Sequence, residues 1–218
     1  MKRLITVLLF VLPAGIVCGQ NNWYINFTPG LDIVMPAPLI VRQSGYKNIT
    51  IWAKYKSSPF KMPVYYSYRL GFTNENNGYE LEMNHLKVHL QNTTGEVSEF
   101  SISHGYNQLF LNRTRYGGSL GSKIGVGIVL AHPENTVRGL KLNEKQGLFN
   151  KGYYIAGPAV QYGIFKEIFI TKRFYLLAEC RASLAYANVP VVNGRADAPV
   201  FAFHIQLGPG FYWYGRTR

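Results

Sequence analysis

The sequence predicts an all-β protein: an antiparallel transmembrane β-barrel of about eight strands, preceded by an N-terminal signal peptide. Three observations carry that expectation: two-faced segments of strand length, an export signal, and no other apolar run long enough for a membrane helix. From Phe174 to Tyr186 the even positions read Phe174, Leu176, Ala178, Cys180, Ala182, Leu184 and Tyr186, while the odd ones include Tyr175, Glu179, Arg181 and Ser183. From Phe201 to Trp213 the odd positions read Phe201, Phe203, Ile205, Leu207, Pro209, Phe211 and Trp213, against Ala202, His204, Gln206, Gly208, Gly210 and Tyr212. A period of two places one set on each face of a strand. Segments of about ten residues with this alternation, aromatics near their ends and turn residues between them, are the pattern of a membrane-spanning barrel.

The chain opens with Lys2 and Arg3, an apolar stretch from Leu4 to Leu12, and Pro13 to Gly19. This layout reads as a secretory signal peptide over residues 1–19, with cleavage after Gly19. A lipoprotein signal at Cys18 is the rival reading, and Val17 is bulkier than the small residue such a site wants before its cysteine. Removal of the signal leaves Cys180 alone, so no intramolecular disulfide can form and Cys180 acts as a small hydrophobe. Nothing later approaches the roughly 18 apolar residues of a membrane helix. In hydrocarbon every backbone N–H and C=O needs a partner, which for strands means a closed barrel. Aromatic residues at 15% and a mean hydropathy of -0.04 fit a greasy exterior averaged against a polar interior.

The formal net charge is +12. An exported protein rarely meets nucleic acid, so phosphorylated lipid headgroups are the better match for exposed Lys and Arg. Four N-x-S/T triplets, at Asn26, Asn48, Asn92 and Asn112, carry no glycosylation signal in a chain of bacterial character.

Strand-like segments run over 48–56, 62–72, 78–90, 97–112, 119–131, 152–165, 172–186 and 199–213, an even number as single-chain barrels require. In the second, Val64, Tyr66, Tyr68, Leu70 and Phe72 alternate with Tyr65, Ser67, Arg69 and Gly71. In the fifth, Ile124, Val126, Ile128 and Leu130 alternate with Lys123, Gly125 and Gly127. Short connections near 74–77, 113–118 and 166–172 face one way, and long ones at 132–151 and 187–198 face the other, the outside. Residues 20–47, with Pro29, Pro36 and Pro38, read as a periplasmic lead-in or plug, with added strand pairing by part of it as the alternative, and 48–218 as the barrel. An eight-stranded barrel is just wide enough to be filled by its own side chains, so no water-filled pore is expected. The inward set contains Arg69, Glu80, Glu82, Lys123, Gln161, Glu179, Arg181, His204 and Gln206, whose mixed charges should pair.

On this pattern, from about Ile49 onward, the chain resembles the small eight-stranded outer-membrane barrels of Gram-negative bacteria, a group of structural anchors, adhesin-like proteins, and lipid A palmitoyltransferases and deacylases. The resemblance implies an outer-membrane address, insertion by the barrel-assembly machinery, and contact with outer-membrane lipids, including lipopolysaccharide phosphates. The deacylases carry a His-x-Ser-Asn segment near the C-terminus; this chain reads Phe203-His204-Ile205-Gln206 there, so their catalytic residues do not carry over.

Candidate chemistry gathers in Glu80-Leu81-Glu82-Met83-Asn84-His85-Leu86-Lys87-Val88-His89 and in Ser101-Ile102-Ser103-His104-Gly105-Tyr106-Asn107. Apolar residues are odd-numbered up to Met83 and even-numbered from Leu86, which a β-bulge near Asn84 would explain. His104, Ser103, His85 and Glu82 (or Glu80) supply the residue types of ester hydrolysis or acyl transfer, with Asn107 or amides beside Gly105 to hold an oxyanion. Adjacent Ser103 and His104 point to opposite faces unless a bulge intervenes. His85 and His89 lie about 13 Å apart along a strand, too far to share a metal ion without His104 or Glu82. No motif calls for a cofactor. His132 opens a basic outer loop with Arg138, Lys141, Lys145 and Lys151, a candidate phosphate clamp. With Arg69, Asn107, Glu179, Arg181 and His204 these form the candidate binding residues. Two functions follow: a barrel with a structural or surface-binding role, or an outer-membrane lipid-modifying enzyme working at the His85/His104 hairpin.

Overall fold

A computed structural model describes residues 22–62, 64–74, 76–148 and 150–214, with Ser103 and His104 described by backbone alone. The expected signal peptide lies outside the described residues. Thirteen strands form one sheet among the described residues: β1 (Asn22–Val34), β2 (Ala37–Gln43), β3 (Ile49–Ala53), β4 (Tyr55–Lys56), β5 (Tyr66–Asn74), β6 (Asn77–Leu90), β7 (Val97–Gly117), β8 (Leu120–Ala131), β9 (Glu134–Val137), β10 (Leu140–Lys141), β11 (Tyr154–Phe169), β12 (Phe174–Val191) and β13 (Gly194–Tyr212). Eight of them close a ring in the order β1, β5, β6, β7, β8, β11, β12, β13 and back to β1, every pair antiparallel. Closure leaves the ring no edge strand, as a lipid setting demands.

Residues 22–34 correct the expected lead-in. They are a stave of the ring, with Asn26 opposite Arg69 of β5 and Gly210 of β13. Residues 48–56, expected as the first stave, belong instead to the β2–β3 hairpin and β4, above the long-loop end of the ring. β1 was hidden by Pro29 and Gly30, which read as strand breakers. Pro29 sits where the β1–β5 ladder ends, opposite Tyr66, while β1 continues along β13 as far as Val34. Gly30 is required because a Cβ there would stand 2.2 Å from the Ile205 carbonyl oxygen. The expected loop 187–198 is also strand: β12 and β13 stay paired to Val191 and Gly194, turning through Asn193 at φ 56°.

The two faces behave as expected along the lower part of each stave. Ile25, Leu70, Leu81, Leu111, Val126, Ile164, Leu184 and Ile205, one from each stave, all point outward and are exposed. Higher up, the polarity inverts while the parity holds. On β6 the outward side chains change from Tyr79, Leu81 and Met83 to His85, Lys87 and His89, and the inward ones from Glu80, Glu82 and Asn84 to Leu86, Val88 and Leu90. β13 repeats this, with Ala196, Ala198, Val200 and Ala202 inward above His204 and Gln206. The expected face switch at Asn84 is therefore a change of surroundings: lipid outside a polar waist gives way to a wet exterior around an apolar core. The register irregularity lies on β7. Between Leu86↔Tyr106 and Val88↔Ile102, β6 advances 88 − 86 = 2 residues and β7 advances 106 − 102 = 4.

The interior accordingly has three tiers. At the short-turn end Tyr24, Tyr116, Phe165, Tyr175, Leu177 and Tyr212 pack together. The waist is polar, and the apical tier joins the upper staves to β2, β3 and β4 in one apolar core. In the lowest tier rings lie over cross-strand glycines: a Cβ on Gly71 would come 2.4 Å from the Tyr24 ring and one on Gly210 2.1 Å from that of Tyr175. Gly210→Val must displace that ring and should cost about 1–3 kcal/mol, read as a lower urea midpoint of the detergent-refolded barrel. Gly95→Ala, where a Cβ meets nothing within 4 Å, should leave the midpoint unchanged.

Candidate functional site

Each of the eight staves sends a polar side chain into the waist, and Glu82 stands at its centre. Its carboxylate meets Arg69 Nη2 at 3.2 Å and Lys123 Nζ at 2.8 Å, and is ion-paired with Arg181. Asn112 Nδ2 and Gln161 Nε2 each donate to it at 2.8 Å. Glu179 takes Arg69 at 3.0 Å and Lys123 at 2.8 Å, and Glu80 accepts from Tyr24 Oη at 2.9 Å and Asn112 at 2.8 Å. Arg69 also donates to Asn26 at 3.1 Å and Thr28 at 2.9 Å on β1. Three carboxylates face three cations, 3 − 3 = 0. Arg69 is 1% exposed and Glu82 3%, so water does not reach the cluster and the waist is filled.

Directly above lies a second polar group that sequence reasoning missed in part. Tyr65 Oη accepts from Arg181 Nη2 at 2.9 Å and Gln206 Nε2 at 3.0 Å, so its own proton goes to His204 Nδ1, 2.8 Å away. His204 therefore carries its hydrogen on Nε2 and donates it to Ser183 Oγ at 2.8 Å. That tautomer is the wrong one for a base that must take a proton from Ser183. Asp32, the register partner of His204, is buried with Ser57 beside its carboxylate. Asn26, Thr28 and Asp32 escaped notice because β1 did; the alternation of Tyr24, Asn26 and Thr28 with Trp23, Ile25 and Phe27 was the available signal.

Of the expected catalytic hairpin, the described side chains of Glu82 and His85 take opposite faces of β6. His85 Nδ1 is hydrogen-bonded to Asn107 Oδ1 at 2.8 Å and its ring stacks on Tyr66 at 5.3 Å. Both His85 and Asn107 occupy outward positions, while Glu82 points inward among its cations. The side chains of Ser103 and His104 lie outside the described residues. Among the described residues no three His, Cys, Asp or Glu side chains are placed to hold a metal ion.

His132 stacks on Tyr153 at 5.1 Å, away from the waist. Arg138, at φ 51°, ties three apical connections together. It donates to Glu96 at 3.0 Å, Gln43 at 2.8 Å and the Lys47 carbonyl at 2.9 Å, and lies 4.6 Å from the Tyr46 ring centroid. Clear of the lipid-facing belt, Asp197 feels burial pushing its carboxyl up, but hydrogen bonds from Tyr186, Asn188 and Arg42 outweigh this and hold it below its ordinary range. Its contribution is thus present above the usual carboxylate range and lost as pH falls below it.

No protein-family model and no curated protein sequence matches the chain. Solved structures do. Outer membrane protein AlkL, determined in DMPC lipid bilayers, superposes with a TM-score of 0.53 at 15% identity, over 92% of this chain and 93% of that one. OprG from Pseudomonas aeruginosa gives 0.43 at 13% identity over 89% and 97%, and outer membrane protein W of E. coli 0.41 at 10% over 90% and 100%. At such identity the AlkL likeness is one of fold, and the chain has the architecture of the small Gram-negative outer-membrane β-barrels.

Glu82→Gln leaves Arg69, Lys123 and Arg181 against Glu80 and Glu179, one cation in excess, and should cost about 3–5 kcal/mol of unfolding free energy in detergent, with Arg181→Gln added to it recovering part of the loss. A cost below about 1 kcal/mol would mean the groups are solvated. Arg138→Ala should speed tryptic cleavage in the β2–β3 turn about tenfold, the effect of roughly 1.4 kcal/mol on local opening, with the barrel's thermal midpoint unchanged.

Proposed function

We propose that the chain is an outer-membrane β-barrel, exported by a signal peptide cleaved after Gly19, whose role is structural or surface-binding. The observation that carries this reading is the filled waist. Every described ionised group there has a partner within the ring, and all six are buried. A stave closed on itself and packed with its own charges serves as a rigid mount. What it mounts is the apical tier, where β2, β3, β4 and β9 extend the wall beyond the lipid-facing belt.

Lipids of the outer leaflet are the partners that suit this arrangement. The apical connections carry Lys47, Lys54, Lys56, Lys61, Lys141, Lys145 and Lys151, cations at the height where phosphorylated headgroups lie. Acyl transfer or hydrolysis draws no support from the described residues: Glu82 is held by three cations, His85 by Asn107, and His204 has its proton directed at Ser183.

Extracts of cells with and without the protein should show the same lipid acylation pattern by mass spectrometry, and His85→Gln or His204→Gln should change stability alone. Replacing all seven of these apical lysines by Gln should weaken retention of the folded barrel on immobilised lipopolysaccharide at least about tenfold. An acylation pattern that depends on either histidine would overturn the non-enzymatic reading.

A further inference from the structure

At the level where the faces invert, the outer wall carries a cationic cluster beside an apolar one. β3 and β4 present Trp52, Lys54 and Lys56 outward in succession, and Lys56 is the register partner of His89. Lys87, next on the same outward row of β6, donates its Nζ to the Lys61 carbonyl at 2.7 Å and so fixes the 57–62 segment against the wall. The charged groups whose fields reach His89 are Lys87, Lys61, Lys56 and Glu134. Asp32 faces Lys87 from the lumen side. Counting Lys54 with them, four ammonium groups stand against two carboxylates, 4 − 2 = +2.

Lys61 is flanked by Phe60 and Met62, which are 79% and 80% exposed. Below them the wall is Tyr68, Leu70 and Leu81, all outward. A cation between two unburied apolar side chains, above a greasy wall and beside further cations, matches a ligand with a charged head and hydrocarbon tails. A small soluble anion would use the lysines and leave Phe60 and Met62 in water.

We propose that Lys54, Lys56, Lys61 and His89, with Phe60 and Met62 on either side of Lys61 in the chain, form a binding site for the phosphate-bearing headgroup of an outer-leaflet lipid. Lys56 and Lys61 meet the phosphate, and Phe60 and Met62 meet the acyl chains as they descend along β5 and β6. Lys87 is a positioning residue: it is buried and spends a proton on the Lys61 carbonyl. The site rests on the reading of the chain as an outer-membrane, lipid-contacting barrel and places that contact on one side of the wall.

The test uses the full folded barrel in detergent, titrated with bisphosphorylated lipid A, its dephosphorylated form, and inorganic pyrophosphate, with retention scored by native mass spectrometry. The wild type should retain bisphosphorylated lipid A. The combined variant Lys54→Gln, Lys56→Gln, Lys61→Gln should lose at least about tenfold in retention, as expected when several near-surface cations are removed. Lys166→Gln with Lys172→Gln, near the short-turn end, should match the wild type. Phe60→Ser with Met62→Ser should weaken lipid A retention and leave pyrophosphate binding alone. Wild-type retention by the triple lysine variant overturns this site while leaving lipid contact elsewhere intact. Equal retention of both lipid forms by the wild type overturns phosphate recognition itself. Pyrophosphate binding as tight as lipid A, with the Phe60/Met62 variant unaffected, assigns the cluster to a soluble anion and overturns the lipid.

Discussion

The structure depends on the neutralisation of Glu82 by Arg69, Lys123 and Arg181 at the centre of the ring. A buried charge with no counter-charge costs several kcal/mol, so the three cations need Glu82 together with Glu80 and Glu179. They come from β5, β6, β8 and β12, strands that are not all neighbours, so the cluster forms only when the ring closes. It ties inward chemistry to topology: a misregistered stave would bring the wrong side chain to the waist. It also sets what the barrel can do, because a waist packed with mutually committed charges has no room for a permeant solute.

Around that waist the strands follow a two-part code. Where the exterior is lipid, outward residues are apolar and the interior holds the polar network; above Met83 the outward residues of β6 are His85, Lys87 and His89, above Tyr186 β12 turns Asn188 outward, and the interior is Leu, Val and Ala. The inversion follows from each face matching its surroundings, and it marks where hydrocarbon ends without reference to any loop. The apical tier is thus the core of a water-exposed β-structure continuous with the membrane wall. Arg138 and Asp197 hold its connections together, and the lysines of β3, β4 and the following segment lie on its rim.

Much of this was legible in the residues. Staves β5, β6, β7, β8, β11, β12 and β13 announce themselves by alternation, and the waist charges are the polar side chains on their inward positions. β1 was not legible, because Pro29 and Gly30 interrupt a pattern that only the pairing with β5 and β13 restores. Residues 48–56 imitated a stave because strand periodicity is the same above the membrane as within it. The apparent bulge at Asn84 shows the limit of reading one strand at a time: polarity reports the environment, and only register reports direction. Tyr65, which decides the proton on His204, precedes β5 and acquires its role from Arg181 and Gln206 across the ring.

The most direct measurement of the filled waist is hydrogen exchange at the Arg69 and Arg181 Nε–H groups, followed by ¹⁵N NMR of the refolded barrel in micelles. An ion-paired, dry cluster predicts protected, individually resolved guanidinium signals that persist long after exposed arginines such as Arg173 have exchanged. Exchange of Arg69 and Arg181 at the rate of those exposed side chains would mean that water fills the ring, and a filled waist could not be maintained.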